Sequence, residues 1–286
     1  MKPPAFDYAA PDLLDEAVSL LRSHEDAKVL AGGQSLLPLM NFRLAAPSLL
    51  VDLRRIRGLE RLDAVDGVVR IGAMVRQRDA EERPETAAVP LLREALRHVA
   101  HPQIRSRGTI GGSVAHADPA AELPAVLVAL DGRVRAVSSG GERWIDARDL
   151  FRGLFTTALE PAEILTEVEL PIAPPRTGAA CVEVARRSGD YALCGALAQV
   201  TLAVDGTVEA ARVALIGVGS CPVRRVDVEE ALEGEAPTAE RIADASARAA
   251  GGLDPPSDVQ ASADYRRHLA RVLTRRALEL AVERAG

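Results

Sequence analysis

A chain of 286 residues that is 48% hydrophobic is long enough to bury one large core or two to three small ones, which excludes a disordered tail. Its formal net charge of −6, with arginine scattered among acids, excludes a nucleic-acid module, because phosphate backbones demand a concentrated basic face. Cys181, Cys194 and Cys221 show no Cys-x-x-Cys spacing, which excludes a disulfide framework or a four-cysteine zinc or iron–sulfur site built from this chain alone and points to a reducing compartment.

The opening MKPPAFDYAAPDLLDEAV has no apolar core of signal-peptide length, and no later run approaches the roughly 18 apolar residues of a membrane span. The expected location is cytoplasmic. The first element is a helix over PDLLDEAVSLLRSH: Asp12 is placed to cap it, Asp15 sits in its first turn, and Leu13, Leu14, Ala17, Val18, Leu20 and Leu21 fall on one face. AKVLAGG follows as a short strand that stops at Gly32-Gly33. SLLPLMNFRL reads as a loop turning into a short helix that Pro38 interrupts, and SLLVDL is a second buried strand. This unit closes near Arg57, so residues 1–57 form the first domain. RRIRGLER, the densest basic run, reads as a solvated surface turn.

From Gly67, GVVRIGAMV predicts a strand and VPLLREALRHVAH a helix with Leu91, Leu92, Ala95, Leu96 and Val99 on one face. AELPAVLVALDG has helical spacing, RVRAVSSGGERWIDA reads as a hairpin turning at SSGGE, and AEILTEVELPI is a strand. The proline-rich PIAPPRTGAA marks a boundary, so the second domain spans 58–174 and the third 175–286. Within the third, ACVEVARR and GALAQVTLAVDGTVEAARVALIGVG predict three antiparallel strands, with Asp205-Gly206 as a hairpin turn. Three helices follow over RVDVEEALEG, TAERIADASARAAGG and DYRRHLARVLTRRALELAVER, the last with a stripe of Leu269, Val272, Leu273, Ala277 and Leu280. Strands and helices alternate without a regular βαβ rhythm, so α+β is the expected fold class.

Chemistry concentrates at two Gly-Gly sites. The first is Ala31, Gly32, Gly33, Gln34, Ser35 and Leu36; the second is Thr109, Ile110, Gly111, Gly112 and Ser113, followed by Ala117 and Glu122. Glycine without a Cβ lets backbone N–H groups converge on an anion, and the hydroxyls of Ser35, Thr109 and Ser113 add donors. One such loop alone marks no more than a tight turn; two with matching polar followers favour a dinucleotide pyrophosphate. Asp52 stands about 20 residues past Gly33, as in a Rossmann unit, but the third glycine of G-x-G-x-x-G is missing and Pro38 disrupts the receiving helix. No G-K-[ST] of a P-loop occurs. His116, Asp118 and Glu122 are metal-ligand types, yet a lone histidine with Pro119 bending the chain falls short of the ligand set of zinc or calcium, and no metal site is expected. Ser113, His116 and Asp118 are the residue types of a hydrolase triad but are crowded together, whereas triad members converge from distant segments.

Three ordered stretches, AGGQSLLPLMNFRLAAPSLLVDL, IRSRGTIGGSVAHADPAAELP and RRSGDYALCGA, together resemble the FAD-binding medium subunits of the molybdenum hydroxylases, the family of aerobic carbon monoxide dehydrogenase and xanthine dehydrogenase. The resemblance covers almost the whole chain. It implies a vanillyl-alcohol-oxidase-like (PCMH-type) FAD-binding fold of two α+β subdomains, followed by a C-terminal flavoprotein domain of a three-stranded sheet with helices. It implies one non-covalent FAD, its pyrophosphate gripped from two sides by the backbone of residues 31–35 and 109–113. Glu122 falls where the family commonly carries an Asp that meets the nucleotide, and Ser113 where Asn or Asp is frequent; His116 and Asp118 order the loop. Asp190, Tyr191 and Leu193 are implied near the isoalloxazine ring, with Tyr191 covering one face, and Leu165 touching the ring from EILTEVEL. A bottom-up reading of Tyr191 alone is an ordinary half-buried aromatic.

The same resemblance implies an oxidoreductase subunit devoted to electron transfer, with no catalytic residue and no metal of its own. Molybdenum-pterin belongs to a large partner subunit and two [2Fe-2S] clusters to a small one, in a dimer of heterotrimers. Two other classes stay open at this point. A self-sufficient flavin-dependent oxidase would need its own acid–base pair, and a non-redox nucleotide-binding or assembly protein would need only the fold.

Overall fold

The computed structural model describes residues 2–286. The first unit comprises β1 (Asp7–Ala9), α1 (Leu14–Ser23), β2 (Lys28–Leu30), α2 (Leu36–Asn41) and β3 (Leu49–Asp52). Its parallel sheet has the order β1-β3-β2. All four residues of the central β3 are buried, which is why an unbroken apolar run rather than an alternating one codes for it. β1 was not expected: three residues carry no period, and pairing with β3 creates the strand.

Two local expectations fail here for physical reasons. Leu13, not Asp12, occupies the N-cap of α1; the Asp12 carboxylate instead receives Nε and Nη2 of Arg55 at 2.8 and 3.0 Å. Pro38 does not interrupt α2. It is the third residue of that helix, where a backbone N–H has no intrahelical acceptor and its loss costs nothing.

The second unit runs through β4 (Leu62–Val65), β5 (Val68–Gly72), α3 (Gln77–Glu82), α4 (Pro90–His98), α5 (Pro102–Arg105) and α6 (Ile110–His116). It continues with α7 (Glu122–Ala129), β6 (Arg133–Ser138), β7 (Gly141–Asp146), α8 (Ala147–Leu150), β8 (Phe151–Gly153), β9 (Thr156–Thr157) and β10 (Ile164–Pro171). The large sheet is antiparallel in the order β4-β5-β10-β6-β7. The expected β6–β7 hairpin forms with Ser138 opposite Gly141. β4 is an extra strand, joined to β5 through Asp66 and Gly67, both left-handed at φ 51° and 77°, the backbone of a tight primed turn. α4 buries Leu91, Leu92, Ala95 and Leu96, as its period requires.

The third unit holds β11 (Thr177–Val184), β12 (Cys194–Leu202), β13 (Val208–Ile216), β14 (Val223–Arg224), α9 (Val226–Glu229), α10 (Ala239–Ala247) and α11 (Ala263–Ala285). Its sheet has one strand more than expected, because β14 adds a two-residue edge to β13. All nine residues of β12 are buried because both faces of the sheet are covered. α10 and α11 close one face; on the other, Cys181, Leu197 and Ala214 join the core of α4 and α7. Of the predicted stripe of α11, Leu269, Leu273 and Ala277 are buried and Val272 and Leu280 half-buried, while Ala270, Thr274, Leu278 and Ala281 extend the buried face to one side. Small residues stand at Ala281 and Ala285 where β11 approaches so closely that a Cβ on Gly178 would lie 2.1 Å from the Ala281 carbonyl oxygen. Among the described residues no helix is long and apolar enough to cross a membrane.

Candidate functional site

The turn between β2 and α2 carries the first Gly-Gly pair. Gly33 is left-handed at φ 74°, and its carbonyl accepts the Leu37 N–H at 3.2 Å to start the helix. The backbone N–H groups of Gly32, Gly33, Gln34, Ser35 and Leu36 donate to no acceptor within the described residues. Consecutive free amides around a left-handed turn are the material of an anion nest. All five of these residues are half-buried.

The second Gly-Gly pair is built differently. TIGGSVAH is not a loop but the helix α6, capped by Thr109, whose Oγ1 accepts the Gly112 N–H at 3.0 Å. The Ile110 and Gly111 amides donate to the carbonyls of Val75 and Ala73, both at 3.0 Å, and the Ser113 amide to Thr109 at 3.1 Å. Four of the amides expected to hold a ligand are therefore engaged by the protein. The Ser113 hydroxyl makes no hydrogen bond within the described residues, and the Thr109 hydroxyl keeps its own proton to donate.

Close packing against neighbouring segments explains most of these glycines. A Cβ on Gly32 would stand 2.4 Å from the Arg107 carbonyl oxygen, one on Gly111 2.4 Å from the Ala73 Cβ, and one on Gly112 2.6 Å from Thr109 Oγ1 and 3.3 Å from the Ala31 Cβ. The two motifs thus press directly on each other across the seam between the first and second units. Arg107, which packs on Gly32, and Ala73, which packs on Gly111, were not singled out from the sequence. Beyond α6, Ala117 is left-handed and buried, the Asp118 Oδ1 accepts the Ala120 N–H at 2.9 Å, and the His116 ring lies 5.0 Å from that of Phe155. Burial lowers the His116 pKa.

The third motif meets the first from the C-terminal unit. Residues 185–193 link β11 to β12, with Asp190 exposed and Tyr191 62% exposed. The Ser35 hydroxyl lies beside the Tyr191 phenol; burial and the Asp118 carboxylate raise the phenol pKa, and the hydrogen bonding of Ser35 opposes them. The His101 ring supports this loop, since a Cβ on Gly189 would stand 2.3 Å from it. Leu193 and Leu165 are nearby in the fold, but their side chains belong to the cores of the third and second units. Ile110 is likewise a core side chain.

Glu122, the first residue of α7, lies where the second unit meets the third, near His98 and Glu183. Burial, followed by the Glu183 carboxylate, pushes its pKa up to about 8, against opposing effects of its own backbone N–H and of His98. His98 Nδ1 lies 3.6 Å from Glu183 Oε1, and this carboxylate raises the His98 pKa against the effect of burial. Glu183 and His98 were invisible in the sequence because they sit on two different elements at unremarkable positions. A run of free amides flanked by the hydroxyls of Ser35, Thr109 and Ser113, and walled by an aromatic ring, fits a dinucleotide whose pyrophosphate takes the amides.

Known proteins are similar to this chain in sequence and fold. A family model described as FAD binding domain in molybdopterin dehydrogenase matches residues 4–173, and one described as CO dehydrogenase flavoprotein C-terminal domain matches residues 179–281. The chain is 45% identical to the 6-hydroxypseudooxynicotine dehydrogenase complex subunit alpha of Paenarthrobacter nicotinovorans, over 100% of this chain and 97% of that one. It is 38% identical to the carbon monoxide dehydrogenase medium chain of Hydrogenophaga pseudoflava, over 100% of both. Among solved structures, the carbon monoxide dehydrogenase of Hydrogenophaga pseudoflava that lacks the Mo-pyranopterin moiety matches with a TM-score of 0.97 at 38% identity, covering 100% of both chains. Quinoline 2-oxidoreductase from Pseudomonas putida 86 matches with a TM-score of 0.95 at 40% identity, covering 100% of this chain and 99% of the other.

Proposed function

The chain belongs to the FAD-binding medium subunits of the molybdopterin dehydrogenases, and from that membership we propose that it is the electron-transfer subunit of a larger complex. In this reading it holds one FAD non-covalently, receives electrons from [2Fe-2S] clusters of a small partner subunit and passes them to an external acceptor. A large molybdopterin subunit transforms the substrate, and the assembly is a dimer of heterotrimers. The FAD, when bound, supplies the ability to take electrons singly and release them as a pair.

The observation that carries the proposal is the run of free amides from Gly32 to Leu36. These amides bind the pyrophosphate, while Ala31 supports them by packing on Gly112. The hydroxyls of Ser35, Thr109 and Ser113 orient it, with α6 from Ile110 through Gly111 and Gly112 serving as the fixed wall behind. Tyr191 covers one face of the ring and excludes water from it. Asp190 and the backbone of Leu193 line the same side, and Leu165 contributes through the strand that carries it. Ala117 turns the chain so that Glu122 presents its carboxyl group to the nucleotide.

The test is to express the chain with its genomic neighbours, isolate it by a tag on this subunit and measure molybdenum, iron and FAD. About one molybdenum and about four irons per FAD are expected from one molybdenum centre and two [2Fe-2S] clusters. FAD alone, with the neighbours soluble but unbound, would refute the partner assignment. Flavin that stays with the protein after acid denaturation would refute the non-covalent attachment.

A further inference from the structure

The C-terminal helix reaches the neck of the Tyr191 loop through one buried cation. Arg266, in the first turn of α11, is only 5% exposed. Its Nη1 donates to the carbonyls of Leu193 and Gly217, the latter at 3.2 Å, and its Nη2 to Asp258 Oδ2 at 2.7 Å. Leu193 closes the neck of the loop by donating its N–H to the Val184 carbonyl at 2.8 Å. Gly217 is left-handed at φ 71°, where a Cβ would stand 2.5 Å from the Leu193 carbonyl oxygen. Its own N–H donates to the Pro119 carbonyl at 2.9 Å. One guanidinium therefore clamps the start of β12 to the end of β13, and Gly217 carries that clamp across to the connection between α6 and α7.

A charge withdrawn from water is costly, and an apolar side chain of similar volume fills such a space with equal or better stability. Arg266 also leaves its buried Nε without a partner, a further penalty. What the guanidinium supplies that a methionine does not is a defined distance between two carbonyls.

We infer that Arg266 is a positioning residue for the cofactor site: through Leu193 and Gly217 it sets how the Tyr191 loop lies over the turn of residues 31–36. The inference rests on the proposal that FAD binds at that turn.

The experiment uses the full chain loaded with FAD, with Arg266→Met, Arg266→Lys, Tyr191→Leu and the Arg266→Met/Tyr191→Leu double variant. Leu273→Ala, in the buried face of the same helix, is the control for simple destabilisation. FAD affinity, the shape of the visible flavin band and flavin fluorescence are measured beside Tm. Arg266→Met is expected to weaken FAD binding about tenfold, the size of one lost charged hydrogen bond, and to shift band and fluorescence in the sense of Tyr191→Leu. The two changes together should give less than their sum, and lysine should recover part of the loss. Leu273→Ala should lower Tm and leave the flavin signals in place. A lowered Tm with unchanged flavin signals in Arg266→Met, or strictly additive effects, would overturn the inference. A wild-type chain that takes up no FAD would overturn the cofactor proposal and with it any positioning role.

Discussion

Gly33 and Gly32 are neighbours with different reasons for being glycine. Gly33 adopts φ 74°, a conformation in which a β-branched residue is an outlier costing on the order of 1–3 kcal/mol. Gly33→Val also brings its Cβ to 3.0 Å from a Leu37 methyl. The variant is expected to keep its circular dichroism and lose FAD; full flavin absorbance per chain would contradict the nest. Gly32, Gly111 and Gly112 instead make room for the protein itself, so larger residues there should destabilise the chain even without cofactor. Glu122 makes a prediction about pH. Its pKa rises from 4.5 to about 8 in the folded chain, so the folded state keeps a proton that the unfolded state has released. That contribution is fully present below about 4.5, is lost as pH rises towards 8, and is flat above. His98, also raised, acts in the same direction, its contribution fading as pH rises through its folded-state pKa. Urea midpoints of the FAD-free chain should therefore fall between pH 5 and pH 8, and Glu122→Gln should flatten most of the slope. An equal slope in both proteins would show that Glu122 does not hold the proton.

At the scale of elements, α6 shows how a motif can be singled out from the sequence and still be assigned the wrong backbone. Thr109 followed by Ile-Gly-Gly-Ser contains an N-cap residue, but two glycines disfavour a helix interior, and the loop reading followed. The helix forms because Thr109 caps it, Val75 and Ala73 accept its first amides, and only glycine lets it lie against Ala73. Thr109→Ala is expected to lower stability by about 1 kcal/mol through the lost cap, measured by urea unfolding of the FAD-free chain. No change would mean that the tertiary hydrogen bonds alone hold the helix. In contrast, α4, the β6–β7 hairpin and β12 were legible because each is decided locally: a period of apolar residues, a glycine turn, or an apolar run between turn signals. β1, β4 and β14 were not, since strands of two to four residues exist only through a partner that supplies their hydrogen bonds.

Across the whole molecule, the site is a meeting of three units, and its parts are far apart in the chain. Composition, cysteine usage and hydrophobic period were sufficient for the broad class, the order of most elements and the two glycine motifs, because those signals act over a few residues and need no partner. The residues alone grouped the two Gly-Gly pairs, with Gly32, Gly33 and Gly112, in one expected site; Tyr191 joined it only through the family resemblance. The free energy that distinguishes one glycine pair from the other lies elsewhere. Whether an amide is available to a ligand depends on whether Ala73 or Val75 already accepts it, and whether Glu122 keeps its proton depends on Glu183 arriving from a different unit. Arg266 meets Leu193 only because α11 packs across the sheet. Hydrogen-bond partners, burial and like-charge neighbours are properties of pairs brought together by packing, so the tertiary structure alone decided which glycine pair keeps free amides, which has them engaged by the protein, and which distant side chain ties Leu193 to Gly217.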